Sequence, residues 1–177
     1  ITGLSSSPVG LVTRRAEIKT LKDFSRQDRI AVPQPGSVQH VLLAMACEKE
    51  MGDTHRLDEL LVTLAHPDGM NALIAGKEIT AHFTSPPYLQ KELEIEGVHQ
   101  VLSGREIVGK DFTFIIGAAV SRFYDTNPKV WEAFVKTVGE AVSYINDNPG
   151  KAAGMLCEEY GMTEGELLEY FKMEGTE

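Results

Sequence analysis

The amino-acid sequence predicts an α/β protein with a mostly parallel sheet flanked by helices. Three short apolar strands are each followed by a segment with helical character, and turn residues separate the two in each case. Consecutive strand–helix units of this kind join parallel strands by right-handed crossovers. The three pairs are strand 29–33 with helix 38–51, strand 61–65 with helix 69–75, and strand 79–83 with a helix ending near residue 95.

Composition and net charge indicate an ordinary soluble domain and argue against one class of partner. The chain has 177 residues, of which 42% are hydrophobic and 24% charged, as in ordinary soluble domains. A net charge of −9 argues against nucleic acid as a partner, since a nucleic-acid binder needs a basic face. A local cleft lined by helix N-termini can still bind an anion on an acidic protein.

The first segment contains two extended stretches around a serine-rich loop. Residues 1–4 resemble the end of a strand, Ser5-Ser6-Ser7-Pro8 is predicted to be a loop, and residues 10–13 are extended again. Residues 21–24 form a single helical turn ahead of the next strand.

The stretch from Arg29 to Ala46 organises the rest of the chain. Ile30 to Val32 is an apolar run that Pro33 ends, as expected for a buried parallel strand. Gly36 and Ser37 form a turn with a good N-cap residue before the helix. The free N–H groups and positive end of that helix could hold a carboxylate, sulfonate or phosphate. The alternative is that Ser37 only caps its own helix, which is the commoner role for such a residue.

The next two strand ends should lie beside this turn. Asp68 is predicted to cap the helix 69–75 and Ser85 the helix after residue 86, while residues 99–102 form a short strand. In open α/β sheets ligands bind beyond the carboxyl ends of the strands. The turns at 33–37, 66–68 and 84–86 are therefore expected to gather at one edge of the sheet.

The last third of the chain is mainly helical. A strand over 112–120 carries Gly117, and the Asn127-Pro128 pair opens a helix by the cap-then-proline rule. An apolar stripe follows this helix until Asn148-Pro149 ends it. A second helix spans about 150–160, and Thr163-x-x-Glu166 is a capping box that opens a third. The stripe consists of Val130, Trp131, Phe134, Val138, Val142 and Ile145.

The residues show no catalytic, metal-binding or cofactor-binding motif. The five histidines have no metal-ligand spacing, and Cys47 and Cys157 are too far apart for a metal or redox motif. Buried free thiols are the default for these cysteines, and a disulfide requires that the fold bring them together. His40 and His82 flank two of the turns and could touch a ligand, although surface or core roles are commoner. Hydroxyls, helix N-termini and a few aromatics without a reactive group indicate binding rather than catalysis.

Four segments resemble one known family, the substrate-binding proteins of nitrate/sulfonate/taurine/bicarbonate-type ABC importers, which are related to binders of thiamin-pyrimidine precursors. The segments are Ser-Ser-Ser-Pro-Val-Gly-Leu-Val-Thr-Arg (5–14), Arg-Ile-Ala-Val-Pro-Gln-Pro-Gly-Ser-Val-Gln-His (29–40), Asn-Ala-Leu-Ile-Ala-Gly-Lys-Glu-Ile-Thr-Ala-His-Phe-Thr-Ser-Pro-Pro-Tyr (71–88) and Asn-Pro-Lys-Val-Trp-Glu-Ala-Phe (127–134). Their order and spacing match the family over nearly the whole chain.

The resemblance implies a type II periplasmic-binding-protein fold, in which two α/β lobes enclose a ligand cleft. Residues 14–108 would form a nearly complete second lobe. Residues 1–13 and 109–177 would supply part of the first lobe with hinge strands and the C-terminal helices. The family pattern further implies a fragment that lacks the N-terminal part of the first lobe. Such a fragment is expected to bind solute poorly and to self-associate through its apolar helix stripe.

The resemblance also implies a function and a binding site. The protein would be a periplasmic or extracellular component, secreted or lipid-anchored, that delivers a small, anionic solute to membrane permease subunits without covalent chemistry. The alternatives are pyrimidine-precursor binding or synthesis in thiamin metabolism and a ligand-sensing regulatory domain of the same fold. The predicted ligand-binding residues are Ser6, Ser7, Gly36, Ser37, Val38, Phe83, Thr84, Ser85, Pro86 and Tyr88.

Overall fold

A computed structural model describes residues 2–172 of the chain. The strands are β1 (Thr2–Ser6), β2 (Gly10–Thr13), β3 (Ile30–Val32), β4 (Leu61–Thr63), β5 (Ala81–Thr84), β6 (His99–Ser103) and β7 (Thr113–Gly117). The helices are α1 (Val38–Met51), α2 (His66–Ala75), α3 (Tyr88–Leu93), α4 (Gly104–Val108), α5 (Ser121–Thr126), α6 (Pro128–Asp147), α7 (Pro149–Tyr160) and α8 (Glu164–Phe171). Short 3-10 helices cover Leu21–Asp23 and Asp58–Leu60.

The chain divides into two compact units. Unit 2 comprises residues 8–111, and unit 1 comprises the residues before and after it. The sequence prediction grouped residues 1–13 with the C-terminal third, whereas the structure places 8–13 in unit 2. The reason is that β2 pairs along its whole length with β5 on one side and β6 on the other.

The sheet of unit 2 has five strands in the order β4-β3-β5-β2-β6. β3 runs parallel to β4 and β5, but β2 is antiparallel to both β5 and β6. The α/β class is confirmed, and the expected mostly parallel sheet is corrected to a mixed one. An apolar run identifies a buried strand without showing its direction, which depends on which strand it pairs with.

Burial follows the strand order. The central strands β2, β3 and β5 are buried at every residue, and the outer strands β4 and β6 are only partly covered. Helices pack on the sheet through a core that includes Val12, Ala31, Leu73, Ile79 and Leu89. This packing holds the carboxyl ends of β3 and β5 beside each other.

The helix starts of unit 2 confirm one predicted cap and correct two. The side chain of Ser37 accepts a hydrogen bond from the His40 N–H, as predicted. α2 begins at His66 rather than at residue 69, so Asp68 lies inside its first turn and Ala65 occupies the N-cap position. Ser85 is not an N-cap either. Its carbonyl accepts from the N–H groups of Tyr88 and Leu89, and its hydroxyl is turned towards His66.

Two short helices and one strand extension were not predicted. α4 follows β6 directly behind a capping box formed by Ser103 and Glu106, and α5 precedes the predicted helix at Pro128. β1 continues through Ser5 and Ser6, which the sequence placed in a loop, because both pair with β7. A serine-rich sequence favours a loop, and the pairing partner overrides that preference.

Unit 1 combines the antiparallel β1–β7 pair with helices α5 to α8. The predicted helix over 128–147 and the capping box of Thr163 and Glu166 are confirmed. On α6, Val130 and Phe134 remain 56% and 43% exposed, so the predicted apolar stripe is uncovered there. Both cysteines are free thiols, Cys47 buried and Cys157 partly exposed. Among residues 2–172 no helix has the length and hydropathy needed to cross a membrane.

Candidate functional site

Polar side chains from three separate segments of unit 2 meet at the carboxyl edge of its sheet. Gln39 comes from the first turn of α1, which follows β3. His66 is the first residue of α2, which follows β4, and Ser85 directly follows β5. The edge predicted from the sequence therefore exists, and the groups that meet there are mostly side chains other than those the sequence indicated.

The conformation at the start of α1 is fixed by hydrogen bonds among residues close together in the sequence. Gly36 has a φ of +77°, a left-handed conformation that glycine adopts without strain. Its N–H donates to Nδ1 of His40, at 3.0 Å, and the His40 N–H donates to the Ser37 hydroxyl, at 3.3 Å. The Ser37 N–H donates to the Gln34 carbonyl at 3.1 Å. The backbone N–H groups of Val38 and Gln39 lie in the first turn of α1. Like those at the start of any α-helix, they have no carbonyl acceptor within the helix itself.

His66 is the centre of the side-chain cluster. Its Nε2 lies 3.2 Å from the Ser85 hydroxyl oxygen and 3.3 Å from Nε2 of Gln39. The Tyr88 ring stacks on the imidazole with 5.8 Å between centroids and 28° between planes. Gln39 and Ser85 are both buried, whereas His66 is half-buried. We call Gln39, His66 and Ser85 the donor cluster.

The other nitrogen of His66 continues into the protein core. His66 Nδ1 lies 3.2 Å from Nε2 of His82, and Nδ1 of His82 lies 2.7 Å from Oε1 of Glu92. The His82 and Glu92 side chains are completely buried, and the second carboxyl oxygen of Glu92 has no hydrogen-bond partner in the described part of the chain. The Thr84 hydroxyl lies 3.3 Å from His66 Nδ1. We call His66, His82 and Glu92 the histidine relay.

The environment keeps His66 uncharged at neutral pH. Burial, followed by the proximity of His82, lowers the pKa of the His66 imidazole to about 4. A neutral imidazole carries one proton, so one ring nitrogen donates a hydrogen bond while the other accepts. Among residues 2–172 no set of three or more His, Cys, Asp or Glu side chains is arranged to hold a metal ion.

The predicted site residues of unit 2 fall into three groups. Ser85 and Tyr88 contact His66 directly, and Thr84 lies against its Nδ1. Gly36, Ser37 and Pro86 lie in the turns at the same edge of the sheet, and Val38 is the first residue of α1. Phe83 is wholly buried in the core, so its position does not support the predicted contact with a ligand.

Ser6 and Ser7 belong to unit 1. Ser6 lines a cavity of about 310 Å³ together with Tyr160 and Tyr170, and its buried hydroxyl has no partner among the described residues. The Ser7 hydroxyl lies 3.5 Å from the Tyr170 hydroxyl.

The sequence analysis did not identify Gln39, His66 or Glu92 as site residues. Gln39 and Glu92 carry no motif, and each stands within a stretch of helix-forming residues. The available signal was the position of His66 shortly after β4 and of His82 within β5. Two histidines on or just after the strands that flank β3 on either side are candidates for contact once the strand order is known.

Comparison with solved structures shows the fold of the chain. It aligns over 99% of its length with the periplasmic aliphatic sulphonate binding protein SsuA from Escherichia coli, with 20% identity and a TM-score of 0.75. The alkanesulfonate-binding protein SsuA from Xanthomonas axonopodis pv. citri, bound to MOPS, aligns over the same share with 14% identity and a TM-score of 0.70. The ligand-binding component of an ABC-type import system from Staphylococcus aureus, with zinc bound, aligns over 96% with 13% identity and a TM-score of 0.63.

These likenesses establish the periplasmic-binding-protein fold, as the sequence resemblance implied. The chain spans 60% of the length of each of the two SsuA proteins and 58% of the Staphylococcus aureus protein. No protein-family model matches the sequence, and no match was found among curated protein sequences.

Proposed function

We propose that this chain belongs to the solute-binding component of an ABC importer and captures a small anionic solute such as a sulfonate, nitrate or bicarbonate. The observation that carries the proposal is the meeting of Gln39, His66 and Ser85 at the carboxyl edge of the sheet, in a fold shared with SsuA proteins. All three groups are uncharged and can donate hydrogen bonds. Several neutral donors at one point stabilise an anion without an opposing full charge.

Binding without turnover fits the local chemistry. A serine nucleophile needs nearby N–H groups that stabilise the oxyanion formed on attack. Ser85 is followed by Pro86 and Pro87, neither of which has an N–H. The two residues after Ser85 therefore supply no N–H group to an oxyanion, and the Ser85 hydroxyl beside His66 is available to hold a solute. In this role the protein would work outside the cytoplasm, in the periplasm or anchored to the cell surface, and would deliver its solute to permease subunits. Unit 2, residues 8–111, and unit 1 would correspond to the two lobes of such a protein.

Isothermal titration of the intact protein with short alkanesulfonates, taurine, nitrate and bicarbonate tests the proposal. We expect saturable binding of at least one of these anions. Gln39→Leu removes a buried amide with little change in volume and should weaken that binding at least about tenfold. Gln27→Leu makes the same replacement at an exposed position and should leave it unchanged. Absence of binding across the series, or equal binding by the Gln39 variant, would contradict the proposed site.

A further inference from the structure

His82 and Glu92, the buried members of the histidine relay, determine whether His66 donates or accepts a hydrogen bond at its Nε2. Glu92 lies in α3 and His82 in β5, and both side chains have no exposed area. Isolated charges are very unfavourable in a protein interior, so a buried carboxylate is either paired with a cation or protonated. His82, 2.7 Å away, is the ion partner that the structure provides.

Both ways of neutralising Glu92 leave the same proton on His82. If His82 is the cation, both of its ring nitrogens carry protons, and Nε2–H donates to His66. If Glu92 is protonated, the proton belongs on Oε1, because Oε2 has no partner in the described part of the chain to which it could donate. Oε1 then donates to Nδ1 of His82, and the single ring proton of His82 again lies on Nε2. In either case Nδ1 of His66 is an acceptor at 3.2 Å. The Thr84 hydroxyl lies 3.3 Å from the same nitrogen, and its proton is donated to the Ser85 carbonyl at 3.4 Å.

A neutral His66 that accepts at Nδ1 must carry its proton on Nε2. That nitrogen faces the Ser85 hydroxyl and the Gln39 amide N–H, at 3.2 and 3.3 Å. The nitrogens of Gln39 and His66, 3.3 Å apart, are then two donors that cannot hydrogen-bond to each other, and the Ser85 hydroxyl at 3.2 Å can accept from His66 Nε2. Such a pair is satisfied by one acceptor that both groups reach, and an anion's oxygen atom is suited to that position.

We propose that the histidine relay fixes His66 as a hydrogen-bond donor, and that His66 Nε2, Gln39 and Ser85 together bind one oxygen atom of an oxyanion. The groups that face His66 are uncharged side chains and the His82 ring: His82 and Thr84 lie in β5, Tyr88 in α3 and Gln39 in α1. Asp68, in the first turn of α2 itself, is exposed. The inference rests on the proposed function, since it assigns the anion to that same site.

His82 and Glu92 are positioning residues in this scheme and do not touch the solute. Their effect is to exclude the other tautomer of His66, which would present a lone pair to the anion and repel it. Gly69 in α2 leaves the space that the His82 ring occupies, since a β-carbon there would lie 2.6 Å from Nε2. The relay is therefore accommodated by the packing of α2 on β5.

The first experiment reads the tautomer directly in the ligand-free protein. Long-range ¹H–¹⁵N spectra of the intact protein at pH 7 distinguish protonated from bare ring nitrogens. We expect His66 to be protonated at Nε2 and bare at Nδ1. His40 is the internal reference, because its Nδ1 accepts from the Gly36 N–H and its Nε2 must carry the proton. A bare Nε2 on His66 would overturn the proposal, whatever the solute proves to be.

The second experiment uses ethanesulfonate, nitrate and bicarbonate as probes with four variants. His66→Leu should weaken binding of the probe that binds at least about tenfold, and His66→Gln, whose amide can donate near the position of Nε2, should restore most of it. Glu92→Leu should weaken binding and mix the His66 tautomers. In Glu92→Gln the new amide can still donate to His82 Nδ1, so this variant should preserve both the binding of the probe and the single tautomer of His66. Binding that is unaffected by His66→Leu would overturn this inference and leave the proposed function standing. If no probe binds, the proposed function fails, and the tautomer measurement still decides the role of the relay.

Discussion

Gly69 in α2 lies directly against the imidazole of His82 in β5. A β-carbon on residue 69 would come within 2.6 Å of His82 Nε2 and 2.7 Å of Cε1, closer than such contacts occur in proteins. The glycine therefore provides the space in which the His82 ring bridges His66 and Glu92.

Gly69→Ala should destabilise the protein despite the better helix propensity of alanine. The propensity gain is about 1 kcal/mol, and overpacking a rigid buried ring costs typically 1–3 kcal/mol. We expect a net loss of about 1 kcal/mol in urea unfolding followed by circular dichroism. Gly139→Ala, in α6 with open space around its β-carbon, is the matched substitution and should stabilise its helix. Equal effects at the two positions would show that His82 does not fill the space beside Gly69.

Ser37→Ala should lower the free energy of unfolding by about 1 kcal/mol. The change removes the hydroxyl that accepts the His40 N–H at the start of α1. Ser37→Asp keeps an acceptor at the same place and adds a negative charge at the helix N-terminus, so it should retain the stability. Urea unfolding of the wild type and the two variants measures their relative stabilities. A loss shared by the aspartate variant would indicate a role for Ser37 other than capping.

Stability should fall as the pH is lowered from 6.5 to 4, in part because of His66. The pKa of this imidazole is about 4 in the folded protein and near 6.5 when unfolded, so the unfolded state binds the extra proton first. The contribution of neutral His66 to the free energy of unfolding is fully present above pH 6.5. It should decline by about 2 kcal/mol at most, since the ring is partly exposed and solvent screens its charge.

His66→Gln should flatten the dependence of urea unfolding on pH over that range. His55→Gln is the control with the opposite sign. A hydrogen bond with Asp58 raises the pKa of the His55 imidazole, so this side chain favours the folded state at low pH. Identical pH profiles for the wild type and the His66 variant would mean that His66 is not buried neutral.

The isolated chain should self-associate through α6, as the sequence stripe predicted. Val130 and Phe134 are 56% and 43% exposed on one face of this helix. Phe134→Glu should shift the chain towards monomer in sedimentation velocity. Ser143→Glu adds the same charge on the opposite, exposed face of α6 and should not. A monomer at all concentrations in the unmodified chain would refute this prediction.

The sequence was sufficient for features that depend on neighbouring residues. The start of α1 is one: Gly36 permits the turn, Ser37 caps, and the apolar positions that follow select a helix. The helix that Pro128 opens and the box of Thr163 and Glu166 are others. In each case the bonding groups lie within four residues of each other, so short-range geometry decides the outcome.

Only the tertiary structure decided the strand directions and the composition of the site. β2 is antiparallel to β5 because of its place in the sheet, which no local pattern records. Gln39, His66 and Ser85 are 19 to 27 residues apart in neighbouring pairs, and they meet because β3 pairs with β4 on one side and with β5 on the other. From the sequence, Glu92 is expected on the exposed surface of a helix. It is buried because the inward face of α3 lies over His82. Such contacts depend on strand order and on the packing of helices over the sheet, both of which arise from the whole chain at once.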